Sequence, residues 1–276
     1  VHCENGTVVD ALQRRVFDAG ITGPEGHPLS RPAECEAEAI SRLLYLAHLA
    51  GDARVNVVHL STKMGLDAIR AAKARGQKNI FVETCPQYLL LDDTRYLERG
   101  EDGFAGAKYV MSPPLRKPSD REALREALER GEIDTIATDH CSFNLHGQKD
   151  RGKGDFRKIP NGGAGVEHRP ALIATSFAGR LGPEDLCRLM SENPAKVFGM
   201  WPAKGRLAEG ADADVCVWDP SVAWTISAAT QHQNVDHTPY EGFECRGRAR
   251  LTFVNGVLAV RDGEPTGTKP GRYVSR

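Results

Sequence analysis

The feature that most constrains the fold is an alternation of short β-branched runs with helical patterns between residues 30 and 140. The runs Arg54–Leu60, Asn79–Glu83 and Ile133–Asp139 have the composition of buried strands. The segments before and between them carry apolar residues at helical spacing and end at glycine. Strands that alternate with helices form parallel sheets with helical crossovers. The sequence therefore predicts an α/β fold built on a parallel sheet.

The pattern changes beyond Gly205. The runs Ala213–Pro220 and Arg250–Val260 indicate strands, and the pair Asn255-Gly256 inside the second run is a strong hairpin signal. We therefore expect antiparallel β structure here. The predicted boundary separates a large domain of residues 1–204 from a smaller one of residues 205–276.

Helix caps are predicted at three places. Ser61-Thr62 caps a helix that runs to Gly76, and Ser119 with Glu122 forms a capping box for the next helix. A longer helical stretch is expected from about residue 166 to residue 199, in which Asn193 serves as the cap before Pro194.

Composition limits the classes of partner and the compartment. Lys+Arg number 36 and Asp+Glu 37, which gives a net charge of −1 without a sustained block of one sign, so we expect no nucleic acid and no anionic membrane as partner. No apolar run approaches the roughly 18 residues of a membrane span. The seven cysteines are scattered and never form a C-x-x-C pair, which favours a reducing, cytoplasmic location over a disulfide framework.

Three metal-capable side chains are predicted at strand ends. His59 comes at the end of Val55–Val58, Asp139 comes at the end of Thr135–Ala137, and His2 is expected to follow a strand before it. Parallel strands bring their carboxyl ends to one edge of the sheet. Taken singly, each residue is more often a hydrogen-bonded core residue or a cap than a ligand. Two imidazoles and one carboxylate together suit Zn²⁺, which makes hydroxide available for attack on an amide carbonyl. An aspartate beside that hydroxide can act as both general base and general acid.

Two loops are suited to presenting backbone groups. Met111–Arg116 is stiffened by two prolines, and Ile159–Gly163 contains a turn that brings the main chain close to a ligand or another segment. Their local chemistry alone does not distinguish them from ordinary loops.

Several longer motifs occur together and in order. They are His59-Leu60-Ser61, Glu83-Thr84-Cys85-Pro86-Gln87-Tyr88-Leu89, Met111-Ser112-Pro113-Pro114-Leu115-Arg116, Thr138-Asp139-His140-Cys141, Ile159-Pro160-Asn161-Gly162, Asn193-Pro194-Ala195-Lys196-Val197-Phe198-Gly199, Lys204-Gly205 and Ala211-Asp212-Ala213-Asp214. Over essentially its whole length the chain resembles the dihydropyrimidinase and D-hydantoinase branch of the amidohydrolase superfamily. The resemblance implies the C-terminal half of a (β/α)₈ TIM-type barrel, comprising strands 5 to 8, with part of a small β-sandwich domain.

The resemblance also assigns roles. His2 and His59 match ligands of the second metal of a binuclear zinc centre, and Asp139 matches a ligand of the first metal that is also the acid/base of the reaction. Ser112 and Asn161 match positions whose backbone groups hold the cyclic imide of the substrate. The implied reaction is opening of 5,6-dihydropyrimidine or hydantoin rings to N-carbamoyl amino acids by a metal-bridged hydroxide. The implied partners are a small cyclic imide or ureide and, in the intact protein, three further copies in a homotetramer.

The chain departs from the family pattern at its start. The family's first-strand His-x-His pair, its bridging carboxylated lysine and an assisting tyrosine all belong before His2, and the chain opens Val1-His2-Cys3-Glu4 without an initiator Met or the pattern of a signal peptide. We therefore expect a C-terminal fragment that is poorly stable and inactive alone. Two alternatives stay open: a non-catalytic scaffold like the collapsin response mediator proteins, and another cyclic amidase such as an allantoinase.

Overall fold

Residues 1–274 are described by the structure, a computed structural model. The helices are α1 Gly6–Asp18, α2 Gly26–Leu29, α3 Ala33–Leu49, α4 Lys63–Ala74, α5 Pro86–Leu90, α6 Pro118–Glu129, α7 Arg169–Ser176, α8 Pro183–Cys187 and α9 Asn193–Val197. The strands are β1 Val55–Val57, β2 Ile80–Thr84, β3 Thr135–Ile136, β4 Val215–Thr225, β5 Glu244–Val254, β6 Val257–Arg261 and β7 Glu264–Pro265. Short 3₁₀ turns cover Asp93–Leu97, Ala105–Tyr109, Lys149–Gly152 and Phe156–Lys158, and a π turn covers Arg188–Glu192.

The chain divides into two compact units. The first comprises residues 1–167 and 227–241, and the second comprises residues 168–226 and 242–276. The domain boundary expected between residues 204 and 205 stays a prediction. No helix among the described residues is both long enough and apolar enough to cross a membrane.

The first unit is built on a parallel sheet in the order β1-β2-β3. This confirms the predicted parallel α/β organisation, although each strand is shorter than its sequence run. At the outer edge of β1, the Val1 amino group donates to the Asn56 carbonyl at 2.6 Å, and the Val58 amide donates to the Val1 carbonyl at 3.4 Å. The first residues of the chain therefore lie beside β1.

Helices α3 and α4 cover the sheet through their apolar faces. Ile40 and Leu44 of α3 and Leu66 and Ile69 of α4 are buried, at the three- to four-residue spacing of one helix face. A side chain at Gly65 would meet Ile40 and Leu60 within 3 Å, so a glycine is needed for this close approach of α4 to α3. Thr62 caps α4 by accepting from the Gly65 amide at 2.9 Å, as predicted.

Two cap predictions are wrong. Helix α6 begins at Pro118 with Lys117 as its N-cap, so Ser119 lies inside the first turn, because proline with its fixed φ supplies the start. The expected helix of residues 166–199 is divided into α7, α8, the π turn and α9. Asn193 has helical angles, φ −62 and ψ −44, and therefore continues the helical backbone rather than capping it.

The second unit contains an antiparallel sheet in the order β4-β5-β6-β7. The predicted hairpin is confirmed: Asn255 and Gly256 join β5 to β6, with φ of 49 and 79. Positive φ at both central residues is the backbone of a tight hairpin turn, which asparagine and glycine adopt at least cost.

Candidate active site

Two histidines meet near the carboxyl end of β1. The Nδ1 atom of His2 lies 2.9 Å from the Nε2 atom of His59, with the rings edge to face. The hydrogen bonds of Val1 with the β1 edge place His2, while His59 lies two residues after β1. His59 is only 6% exposed and adopts a left-handed backbone with φ of 42, a conformation that is uncommon for non-glycine residues.

The electrostatics keep His59 neutral. Burial and the neighbouring His2 ring lower the pKa of His59 to about 4. A neutral imidazole leaves one ring nitrogen free to bind a metal ion. The Nδ1 atom of His59 is buried without a hydrogen-bond partner among the described residues. The Nε2 atom contacts the Nδ1 atom of His2.

Glu4 orients the other histidine. Its carboxylate lies 3.2 Å from His2 Nε2 and accepts from Arg31 at 2.7 Å. Burial opposes ionisation of Glu4, but the hydrogen bond from His2 and the charge of Arg31 outweigh it and lower the pKa of this carboxyl. A carboxylate on one ring nitrogen directs the opposite nitrogen, Nδ1, towards His59.

Asp139 lies three residues after β3 and also adopts a left-handed backbone, with φ of 50. Its side chain faces solvent, and partial burial raises the pKa of the carboxyl while His2 opposes that rise. Glu83 in β2 is a second carboxyl beside it. Burial raises the pKa of Glu83, against a hydrogen bond from Thr135, and the charge of Asp139 adds to the rise.

The donor set fits part of a metal site. His2 Nδ1 and His59 Nε2 point at each other as two nitrogen ligands of one ion. Within residues 1–274, however, no group of three or more His, Cys, Asp and Glu side chains is close enough to hold a metal ion. The two histidines thus come together, while Asp139 stands apart on the far side of β2 in the sheet order.

The two candidate substrate loops lie against each other. The Gly162 amide donates to the Val110 carbonyl at 3.0 Å, which links the loop around Asn161 to the loop around Ser112. His27 donates to the Met111 carbonyl at 2.7 Å, and the Tyr88 hydroxyl donates to the Pro113 carbonyl at 2.7 Å. Buried side chains therefore fix the backbone on both sides of Ser112. The Ser112 hydroxyl is buried without a hydrogen-bond partner among the described residues, while Asn161 is exposed.

His140 and Cys141 lie next to Asp139. His140 accepts from the backbone amides of Gly165 and Val166 at 3.2 and 3.3 Å, so it fixes the loop that follows Asn161. Cys141 is exposed.

The sequence did not identify the buried polar residues that support the site. Glu4, Glu83, His27 and Lys149 act through contacts between segments far apart in the chain, which no local spacing reveals. Glu4 and Glu83 carried a weak signal, because each is a charged residue within or next to an apolar strand run.

His27 makes the loop around Ser112 sensitive to acid. Burial lowers the pKa of His27 to about 3. Between pH 6.5 and about 3 the His27 imidazole therefore stays neutral in the folded chain, whereas in the unfolded chain it takes up a second ring proton. Stability is therefore fully present above pH 6.5 and is lost as the pH falls, by about 3 to 5 kcal/mol from this group. The urea concentration at the midpoint of unfolding, measured at pH 7, 5 and 4, should fall more steeply with decreasing pH for the parent chain than for His27→Gln.

Comparing the parent chain with His27→Gln separates the pH effect of His27 from the effects of its charged neighbours. Arg31, Glu4 and Lys149 all act on His27, and they are the same in both chains. Gln keeps an amide donor for the Met111 carbonyl but does not titrate. Parallel pH profiles for the two chains would show that His27 is not the acid-sensitive group.

Comparison with known proteins agrees with this geometry. The Amidohydrolase family model matches residues 16–259. The chain is similar to D-phenylhydantoinase of Escherichia coli, with 44% identity over 279 residues that cover 100% of this chain and 59% of that protein. It is also similar to the crystal structure of dihydropyrimidinase from Brevibacillus agri, with a TM-score of 0.92, 42% identity and coverage of 96% of this chain and 57% of that one. For a D-hydantoinase from a Bacillus species the TM-score is 0.94, with 42% identity and coverage of 99% and 59%.

These findings confirm the resemblance to dihydropyrimidinases and D-hydantoinases. They also show that the chain spans 59% of the length of the curated relatives it matches. Since the family model matches most of the residues, the chain belongs to the amidohydrolase family.

Proposed function

We propose that this chain carries one metal-ligand pair and the acid/base of a hydrolase that opens 5,6-dihydropyrimidine or hydantoin rings to N-carbamoyl amino acids. The observation that carries the proposal is the meeting of His2 Nδ1 and His59 Nε2, 2.9 Å apart near the carboxyl end of β1. The names of the relatives, D-phenylhydantoinase and dihydropyrimidinase, support the class of substrate.

The architecture of the whole enzyme is part of the proposal. The parallel order β1-β2-β3, extended at its edge by Val1, suits the second half of a (β/α)₈ barrel. The antiparallel sheet β4–β7 suits one part of a β-sandwich. We place the whole enzyme in the cytoplasm, which the seven free cysteines support. We expect it to be a homotetramer, which the resemblance supports.

In the proposed mechanism, His2 and His59 would hold one zinc ion, and Asp139 would contribute to the other metal position. A zinc ion held there would supply Lewis acidity, which lowers the pKa of a bound water towards neutrality. Glu4 keeps His2 turned towards His59. Asp139 accepts the proton of the attacking water and delivers it to the ring nitrogen as the amide bond breaks. Backbone groups of Ser112 and Asn161 orient the cyclic imide and stabilise the charge that develops on it.

The retained side chains favour an enzyme over a scaffold like the collapsin response mediator proteins. A scaffold has no need for His59 in a left-handed backbone beside a second imidazole. The allantoinase alternative differs from the proposed function only in the substrate that is hydrolysed.

The test compares this chain alone with the same chain fused behind the segment of the Escherichia coli relative that it does not span. Each protein is purified with zinc and given dihydrouracil, hydantoin or allantoin, and N-carbamoyl products are measured by mass spectrometry. We expect the fusion to open dihydrouracil or hydantoin and the chain alone to be inactive. The segment of the relative alone serves as the control.

A folded, zinc-loaded fusion that opens only allantoin would replace the proposal by the allantoinase alternative. A folded, zinc-loaded fusion that opens none of the three rings would favour the scaffold. Turnover by this chain alone would contradict the expectation that it is inactive.

A further inference from the structure

A buried lysine lies behind the two candidate substrate loops. Lys149 begins a 3₁₀ turn, Lys149–Gly152, and its side chain is 0% exposed. Its Nζ atom donates to the Val110 carbonyl at 2.8 Å and to the Pro160 carbonyl at 2.9 Å. Burying an amine is costly, and an apolar residue would fill the same space without that cost. The two hydrogen bonds from its Nζ atom therefore explain why a lysine, and not an apolar residue, occupies this buried position.

Each of the two carbonyls adjoins a candidate substrate position. Val110 lies two residues before Ser112, and Pro160 directly precedes Asn161. The Val110 carbonyl also accepts from the Gly162 amide at 3.0 Å, so it joins both loops and the lysine. Among residues 1–274, one backbone hydrogen bond, from the Gly162 amide to the Val110 carbonyl, otherwise links the two loops, so Lys149 is a cross-link between them.

The turn that carries Lys149 is itself held close to the second loop. A side chain at Gly152 would lie 2.2 Å from Ile159 Cγ1 and 2.8 Å from the Ile159 amide nitrogen. This close approach leaves Lys149 little freedom to withdraw from the Pro160 carbonyl. The turn, the lysine and the loop around Asn161 therefore form one fixed unit.

Protonation does not decide whether the cross-link exists. Burial lowers the pKa of Lys149 to about 7, against the attraction of Cys141. His27 and His237 also lie in its electrostatic surroundings. The ammonium form has three donor hydrogens and the neutral amine has two, so either form can hold both carbonyls.

We propose that Lys149 is a positioning residue that fixes the distance between the loop around Ser112 and the loop around Asn161, and so sets the opening that receives the ring of the substrate. Its importance for catalysis rests on the function proposed above. The cross-link itself is a property of this chain and is tested without turnover.

The test is amide hydrogen exchange, followed by mass spectrometry, on the 276-residue chain and its Lys149→Met variant. Met has similar length but no donor, so exchange should rise about tenfold in peptides that cover residues 109–116 and 159–165. Exchange in β1 and β2 should stay unchanged. The matched control is Lys153→Met, because Lys153 pairs with Asp102 at 2.9 Å at the surface and contacts neither loop.

Unchanged exchange in both loops of Lys149→Met would overturn the proposal. If exchange rises in β1 and β2 as well, Lys149→Arg decides, because it keeps the donors: protected loops in that variant support the cross-link, and loops as open as in the Met variant contradict it.

A kinetic readout separates this proposal from the proposed function. In the fusion described above, Lys149→Met should raise KM for the ring substrate about tenfold while the zinc content stays the same. An unchanged KM would contradict the positioning role although the enzyme is active. Loosened loops in a fusion that has no activity would leave the cross-link standing and reject the proposed function.

Discussion

Asp139→Asn is expected to lower kcat for ring opening by about 10²- to 10⁴-fold in the fusion described above. Asn has nearly the shape of Asp, but its amide neither accepts the proton of the attacking water nor delivers one to the leaving nitrogen. The left-handed backbone at this position, with φ of 50, is tolerated by Asn as well as by Asp. Steady-state rates and zinc content, measured on the same preparations, check the prediction.

The matched control is Asp262→Asn. Asp262 is exposed and also left-handed, with φ of 53, but lies in the turn between β6 and β7, in the second unit. We expect its kcat to equal that of the parent. A kcat for Asp139→Asn within about threefold of the parent would remove Asp139 from the acid/base role.

Glu36→Ala is expected to destabilise the chain by about 3 to 5 kcal/mol, because Glu36 anchors the turn behind His59. Its buried carboxylate accepts from the Ser61 amide at 3.0 Å, from the Ser61 hydroxyl at 2.7 Å and from the Thr62 hydroxyl. Burial raises the pKa of Glu36, and Arg116 and these donors oppose the rise. Without the carboxylate, the Ser61 and Thr62 donors are left buried and unpaired beside a cavity. Urea unfolding measures the change.

Glu38→Ala is the control from the same helix. Its side chain is 47% exposed and pairs with Arg42 at 3.2 Å, so solvent screens the pair and we expect a loss below about 1 kcal/mol. Equal losses for the two variants would show that the Glu36 contacts do not hold the turn.

The order of strands and helices was predictable because it depends on local patterns. Buried β-branched runs alternate with amphipathic helices, and Thr62 and the Asn255-Gly256 turn satisfy local backbone requirements. The strand ends were less predictable. His59 and Asp139 were expected to lie within or directly at the end of extended runs, but both leave the extended region for a left-handed backbone, which shortens the regular strands.

The residues of the candidate site also differ in how well the sequence predicts them. His2, His59 and Asp139 stand out in the sequence because polar residues follow apolar runs. Glu4 and Lys149 do not, because their roles depend on partners that folding brings close, such as Arg31 and Pro160. The separation of Asp139 from the two histidines likewise follows from the order of the sheet, with β2 between them.

The most direct test is to locate zinc by anomalous X-ray scattering in crystals of the fusion and of its His59→Ala variant. We expect a peak about 2.0 to 2.1 Å from both His2 Nδ1 and His59 Nε2, the usual zinc–nitrogen distance, and its loss in the variant. A fusion that binds zinc elsewhere, with His2 and His59 still bonded to each other, would contradict the proposed metal site and the hydrolytic function built on it.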